Sequence, residues 1–99
     1  MTILTVDLQD LRVLRVYVTE DTLTADLQDG RSIAVPLAWY PRLMHALPKE
    51  RQNWRLSGNG FGINWPDLDE DVSIENLILG QPSGESQASF QRWLESKSG

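Results

Sequence analysis

From Val13 to Leu37 apolar and polar positions alternate along much of the chain, the period of half-buried strands. Val13-Leu14-Arg15-Val16-Tyr17-Val18 is rich in β-branched and aromatic residues, with Leu14, Val16 and Val18 on one face. Glu20-Asp21 makes a polar turn. Leu23, Ala25 and Leu27 then alternate with Thr24 and Asp26 in a second strand. Asp29-Gly30 follows between two alternating runs. That is a hairpin signal, because a type I′ turn takes positive φ at both central positions. Ile33, Val35 and Leu37 face inward from a third strand. Pro36 lacks an amide donor and marks that strand's end or an edge.

The period then changes. Residues 39, 40, 43, 44 and 47 are apolar, a helical spacing. Pro41 fits a helix only in its first turn, so this helix starts near Tyr40, and Pro48 opens a second short one. Alternation returns at Trp54 and Leu56, turns at Ser57-Gly58-Asn59-Gly60 and comes back through Phe61, Ile63 and Trp65. The aromatics of this second hairpin are expected to supply much of the core. Ser73 suits a helix N-cap, Ile74, Leu77 and Ile78 share one face, and Gly80 is the stop. Past the linker Gln81-Pro82-Ser83-Gly84, Phe90, Trp93 and Leu94 take helical spacing within 86–97.

This pattern predicts an α+β fold, a two-layer α/β sandwich. Its antiparallel sheet comes from two β-hairpins, with short helices near 40–53 and 73–79 on one face. Residues 1–80 make a single domain, and 81–99 a linker and short amphipathic helix. Ninety-nine residues suffice for one core. No apolar run approaches the ~20 residues of a membrane span, and Met1–Asp10 lacks the basic start of a signal peptide. With no cysteine there is no disulfide, thiolate nucleophile or sulfur-ligated metal, and a cytoplasmic location fits. Nine scattered Lys and Arg against fourteen Asp and Glu, net −5, argue against phosphate-driven nucleic-acid binding.

Candidate chemistry is sparse. Asp67, Asp69 and Asp71 have the spacing that opens a calcium loop, but Val72 stands where glycine is needed and Ile78 where the closing Glu is needed. The simpler reading makes Asp69, Asp71 and Ser73 caps for the helix that follows. An alternative function, a small metal-dependent enzyme or ligand-binding domain, rests on Asp67, Asp69, Glu70 and Asp71 with His45. His45 is the only histidine, and spacing supplies it with no nucleophile or fellow ligand. Gly58, Gly60 and Gly62 lie between two strands, which fits a hairpin and not a dinucleotide loop. No catalytic, cofactor-binding or metal-binding residue is assigned, and no cofactor is expected.

Four tryptophans need places. Trp54 and Trp65 are assigned to the core. The candidates for binding a partner are Trp39, Tyr40 and Arg42 in the middle of the chain, and Phe90, Trp93 and Leu94 in the tail. The chain therefore reads as a non-catalytic protein-interaction or regulatory module. Its tail is expected to join a homodimer or a partner interface, with docking on its own domain as the alternative.

Several segments taken together point to a family. They are Asp29-Gly30-Arg31, Val35-Pro36-Leu37-Ala38-Trp39-Tyr40-Pro41-Arg42-Leu43, Glu50-Arg51-Gln52-Asn53-Trp54, Gly58-Asn59-Gly60-Phe61-Gly62-Ile63-Asn64-Trp65-Pro66 and Leu68-Asp69-Glu70-Asp71-Val72-Ser73. Over residues 11–80 the chain resembles the prokaryotic domain of unknown function family 2442. The resemblance implies a two-layer α/β sandwich and no established activity. It also implies an antitoxin-like small subunit whose partner protein is encoded nearby. The helix-turn-helix that follows some similar domains has no counterpart here, since the tail offers at most one helix.

Overall fold

A computed structural model describes residues 11–98. The signal-peptide reading of Met1–Asp10 lies outside the described residues. Strands β1 (Val13–Val18), β2 (Thr22–Leu27) and β3 (Ser32–Pro36) form an antiparallel sheet in that order. A 3-10 turn at Leu37–Trp39 leads into α1 (Pro41–Met44) and α2 (Pro48–Gln52). Strands β4 (Arg55–Ser57), β5 (Gly62–Trp65) and β6 (Glu70–Ser73) form a second antiparallel sheet. Helices α3 (Ile74–Leu79) and α4 (Gln87–Ser98) complete the chain.

The α+β class is therefore as the pattern predicts, but the two hairpins do not share a sheet. Each has its own third strand. The second hairpin's comes from the run read as an acidic lead-in to a helix. Leu68, Val72 and Ile74 are buried at alternate positions beneath the charges. A turn closed by the Leu68 N–H donating to the Trp65 carbonyl at 3.1 Å, with Asp69 at φ 50°, reverses the chain. Glu70–Ser73 then pairs with β5, Val72 opposite Ile63.

Two other corrections are local. The register of β1 against β2 slips between Val13 and Arg15. This bulge puts Val13 inside with Val16 and Val18 and leaves Leu14 exposed. At the first hairpin only Gly30 takes positive φ, at 93°. Its N–H donates to the Leu27 carbonyl at 3.1 Å, and the Leu27 N–H donates to Arg31 at 2.8 Å. The loop is thus a three-residue turn with glycine in the left-handed position, not type I′. At the second hairpin Gly58, Asn59 and Gly60 all run left-handed, which explains the Gly-Asn-Gly sequence.

One core serves both sheets. Leu23, Leu27, Leu37, Leu43, Ile63, Trp65 and Leu68 are its fully buried large side chains. Trp65 is completely buried, and its Nε1–H donates to the Arg51 carbonyl at 3.0 Å. Arg51 in turn donates to the Leu43 and Met44 carbonyls, closing the free end of α1. Trp54 and Phe61 are only partly buried against this core, so Trp65 carries most of the hairpin's aromatic contribution.

Helix α3 begins where Ser73 Oγ accepts the Asn76 N–H at 3.1 Å and ends at Gly80 in the left-handed region. Asp69 and Asp71 make no such bond. Asp71 accepts from Asn64 Nδ2 at 2.8 Å across the strand pair, and the Asp69 side chain is almost fully exposed. The reason is that both lie on or beside β6, which separates them from the helix end. Ser73→Ala should accordingly cost about 1 kcal/mol, and Asp71→Ala less than about 0.5 kcal/mol. Trp65→Ala should cost about 3–5 kcal/mol. Urea denaturation of the three variants would show this ranking, and an Asp71 effect as large as that of Ser73 would restore the capping role.

Candidate interaction site

The polar chemistry of the molecule concentrates around Arg42, in the first turn of α1. Its Nη1 donates to the carbonyls of Leu68 and Asp69, at 3.0 and 3.2 Å. These belong to the turn before β6. The opposite edge of the guanidinium meets Glu85, Nη2 at 2.6 Å and Nε at 2.9 Å. Both side chains are largely buried, 14% and 10% exposed, so water does little to screen the pair. Glu85 is held below the usual carboxylate range, first by the hydrogen bond from Arg42.

Helix α4 follows directly. Ser86 Oγ accepts the Ser89 N–H at 3.0 Å and starts it, while Ser89 Oγ donates to Glu85 at 2.8 Å. Phe90 is buried and meets the edge of the His45 ring, centroids 5.0 Å apart. Trp93 stacks on Phe90 at 5.8 Å, and the Arg42 guanidinium lies 5.5 Å from its ring centre. At the far end Lys97 donates to Glu50 at 2.7 Å, and its Nζ lies 4.9 Å from the Trp93 centroid. Glu50 is lowered chiefly by that bond. The tail therefore docks on its own chain, along α1 and α2.

Sequence-chosen residues divide here. Arg42, Phe90 and Trp93 are brought together, with Leu94 half-buried nearby on the same helix. Trp39 is half-buried, and its carbonyl accepts the Ser83 N–H at 3.0 Å, fixing the linker. Tyr40 is a correction. It is 3% exposed and belongs to the core, because Pro41 starts the helix with Tyr40 turned beneath it, so its ring offers a partner no surface. Sequence reasoning missed Glu50, Glu85 and Lys97. Glu85 lies forty-three residues from Arg42, and no local pattern links them.

Two groups are strained by burial. The Tyr40 hydroxyl is buried with no hydrogen-bond partner, and its pKa is pushed up to about 12, by desolvation and then by Glu70. Glu70 is pushed up to about 7, first by desolvation and then by Glu85, with Arg42 opposing. The other acidic residues do not converge. Asp67 accepts from Asn53 Nδ2 and Asp71 from Asn64, and His45 Nδ1 lies 3.1 Å from the Pro41 carbonyl. Among the described residues no three His, Asp or Glu side chains come together to hold a metal. A separate apolar groove of about 720 Å³ is lined by Leu11, Phe61, Ile74, Ile78 and Leu79 with Ser73 and Glu75, a poor set for catalysis.

A family model for proteins of unknown function, DUF2442, matches residues 13–83, most of the chain. The chain belongs to DUF2442. The match takes in β1–β6 and α1–α3, whereas Glu85 and α4 lie beyond it. Two solved structures share the DUF2442 chain's fold. A protein of unknown function from Rhodospirillum rubrum is 23% identical with a TM-score of 0.65, covering 80% of this chain and 95% of its own. An uncharacterized protein from Chromobacterium violaceum is 20% identical with a TM-score of 0.63, covering 87% and 75%. No curated protein matches. No helix among the described residues is long and apolar enough to cross a membrane.

The raised Glu70 has a consequence for stability. An unfolded chain releases this proton near the ordinary value of 4.5, and the folded chain holds it until about 7. The folded state thus binds more protons across that window, and stability falls as pH rises from 4.5 to 7. Glu70→Gln should flatten this slope and leave the variant more stable than the native chain at pH 8. Denaturation at pH 5 and pH 8 tests it, and an unchanged slope would refute the assignment.

Proposed function

We propose that this DUF2442 chain is a non-catalytic protein-interaction module whose docking face is formed by α1, α2 and Arg42. One observation carries the reading. Arg42 is fixed on one edge by backbone carbonyls of the family-matched domain, and with its other edge it grips a carboxylate from outside that domain. A guanidinium held in advance on one side recognises a second acceptor at small entropic cost. The neighbouring ring of His45 and the carboxylate of Glu50 extend the face into a strip that takes an aromatic and then a base. Among the described residues Asp67 and Asp71 turn to different asparagines and no three His, Asp or Glu side chains come together, which favours the interaction reading over the metal-dependent alternative.

The antitoxin-like form of this reading makes the partner a small protein encoded nearby. Affinity-tagged full-length chain, produced at native level in its source cells, should co-purify with one polypeptide in fixed stoichiometry. Arg42→Ala should reduce the recovered partner at least about tenfold, as the loss of a charge-assisted contact entails. A chain that emerges alone, or a partner indifferent to Arg42, would contradict the proposal.

A further inference from the structure

We propose that α4 is a built-in competitor that occupies the partner face in cis, and that the partner is a protein helix bearing the same order of groups: a carboxylate for Arg42, an aromatic for His45 and a base for Glu50. This rests on the interaction reading above and adds the partner's chemistry and its regulation. The order is read from the tail itself: Glu85, just ahead of α4, meets Arg42, Phe90 meets His45, Trp93 lies against Arg42 and Lys97 meets Glu50.

Two features make α4 replaceable. Its hold is partial, since among its described side chains Phe90 alone is buried, Trp93 and Leu94 are half-buried, and the Lys97 bond sits at the surface. A twelve-residue helix also has little stability of its own in water. The face it covers, by contrast, is built from α1 and the turn at 66–69, which bury Leu43 and Leu68 in the core, and from α2, tied to them through Arg51. Removing α4 leaves Arg42 anchored to the Leu68 and Asp69 carbonyls.

The tether decides which occupant can displace it. A short linker confers an effective concentration on the order of millimolar. A second copy's α4 offers identical contacts without that advantage, so at micromolar protein it loses by roughly a thousandfold. A displacing helix must therefore make better contacts than α4, which a larger apolar stripe over the half-buried positions of Trp93 and Leu94 supplies. The occupant is thus a different chain, and the tail sets a threshold that excludes weaker helices.

The probe is a fluorescein-labelled peptide of residues 85–98, followed by anisotropy. Full-length Phe90→Ala/Trp93→Ala chain, its own tail loosened and its face intact, should bind the peptide at least about a hundredfold tighter than the native chain. Glu85→Arg, which keeps the tail's apolar residues, should open the face in the same direction and covers the case in which the double variant does not fold. Adding Arg42→Ala to either should weaken binding more than tenfold. Equal affinity for native and loosened chains, or no binding to any of them at millimolar peptide, would overturn the proposal. Should the peptide fail while the full-length chain still co-purifies with a stoichiometric partner, the cis-competitor idea falls and the interaction reading stands.

Discussion

A guanidinium presents its N–H donors in one rigid plane and stays charged at any ordinary pH, so where it is largely buried, acceptors must come to it. Arg42 draws those acceptors from two places far apart in the sequence, the turn at Leu68 and Asp69 and the linker at Glu85. That requirement fixes the bearing of α1 against the turn that launches β6, and the point where the tail rejoins the domain. A nearly buried ion pair contributes little net stability over an apolar substitute. What it supplies is position: one orientation of the tail satisfies both ions, and a sliding helix satisfies neither.

The core around Trp65 is the frame on which this depends. The Trp65 indole binds the Arg51 carbonyl, Arg51 closes α1, and α1 carries Arg42. The chain of contacts runs from the middle strand of the second sheet to the face that meets α4. The same packing brings Glu70 and Tyr40 into a poorly solvated space beside Arg42, where a carboxyl and a phenol both hold their protons above their ordinary values. Among the described residues no three His, Asp or Glu side chains accompany them to hold a metal.

Much of this was legible in the residues. Period-2 runs ending in Gly30 and Pro66, and Pro41 and Pro48 at helix starts, located β1–β5 and α1 and α2 because each signal is local. The strand at 70–73 was hidden because three charged residues at 69–71 mask the alternation of Leu68, Val72 and Ile74. Leu14 faced the wrong way because a bulge shifts register without a sequence signature strong enough to see. Arg42 and Trp93 stood out as exposed-looking groups near aromatics. That Arg42 is gripped by Glu85 and lies against Trp93 required knowing that the tail folds back, a decision made by tertiary packing.

The central claim is that Arg42 joins the tail to the domain, and amide hydrogen exchange tests it residue by residue. In the native chain the amides of α4 should be protected, though less than those of β2 and β5. In Arg42→Ala the protection across residues 90–97 should be lost while that of the two sheets persists. An α4 as protected without Arg42 as with it would contradict the account.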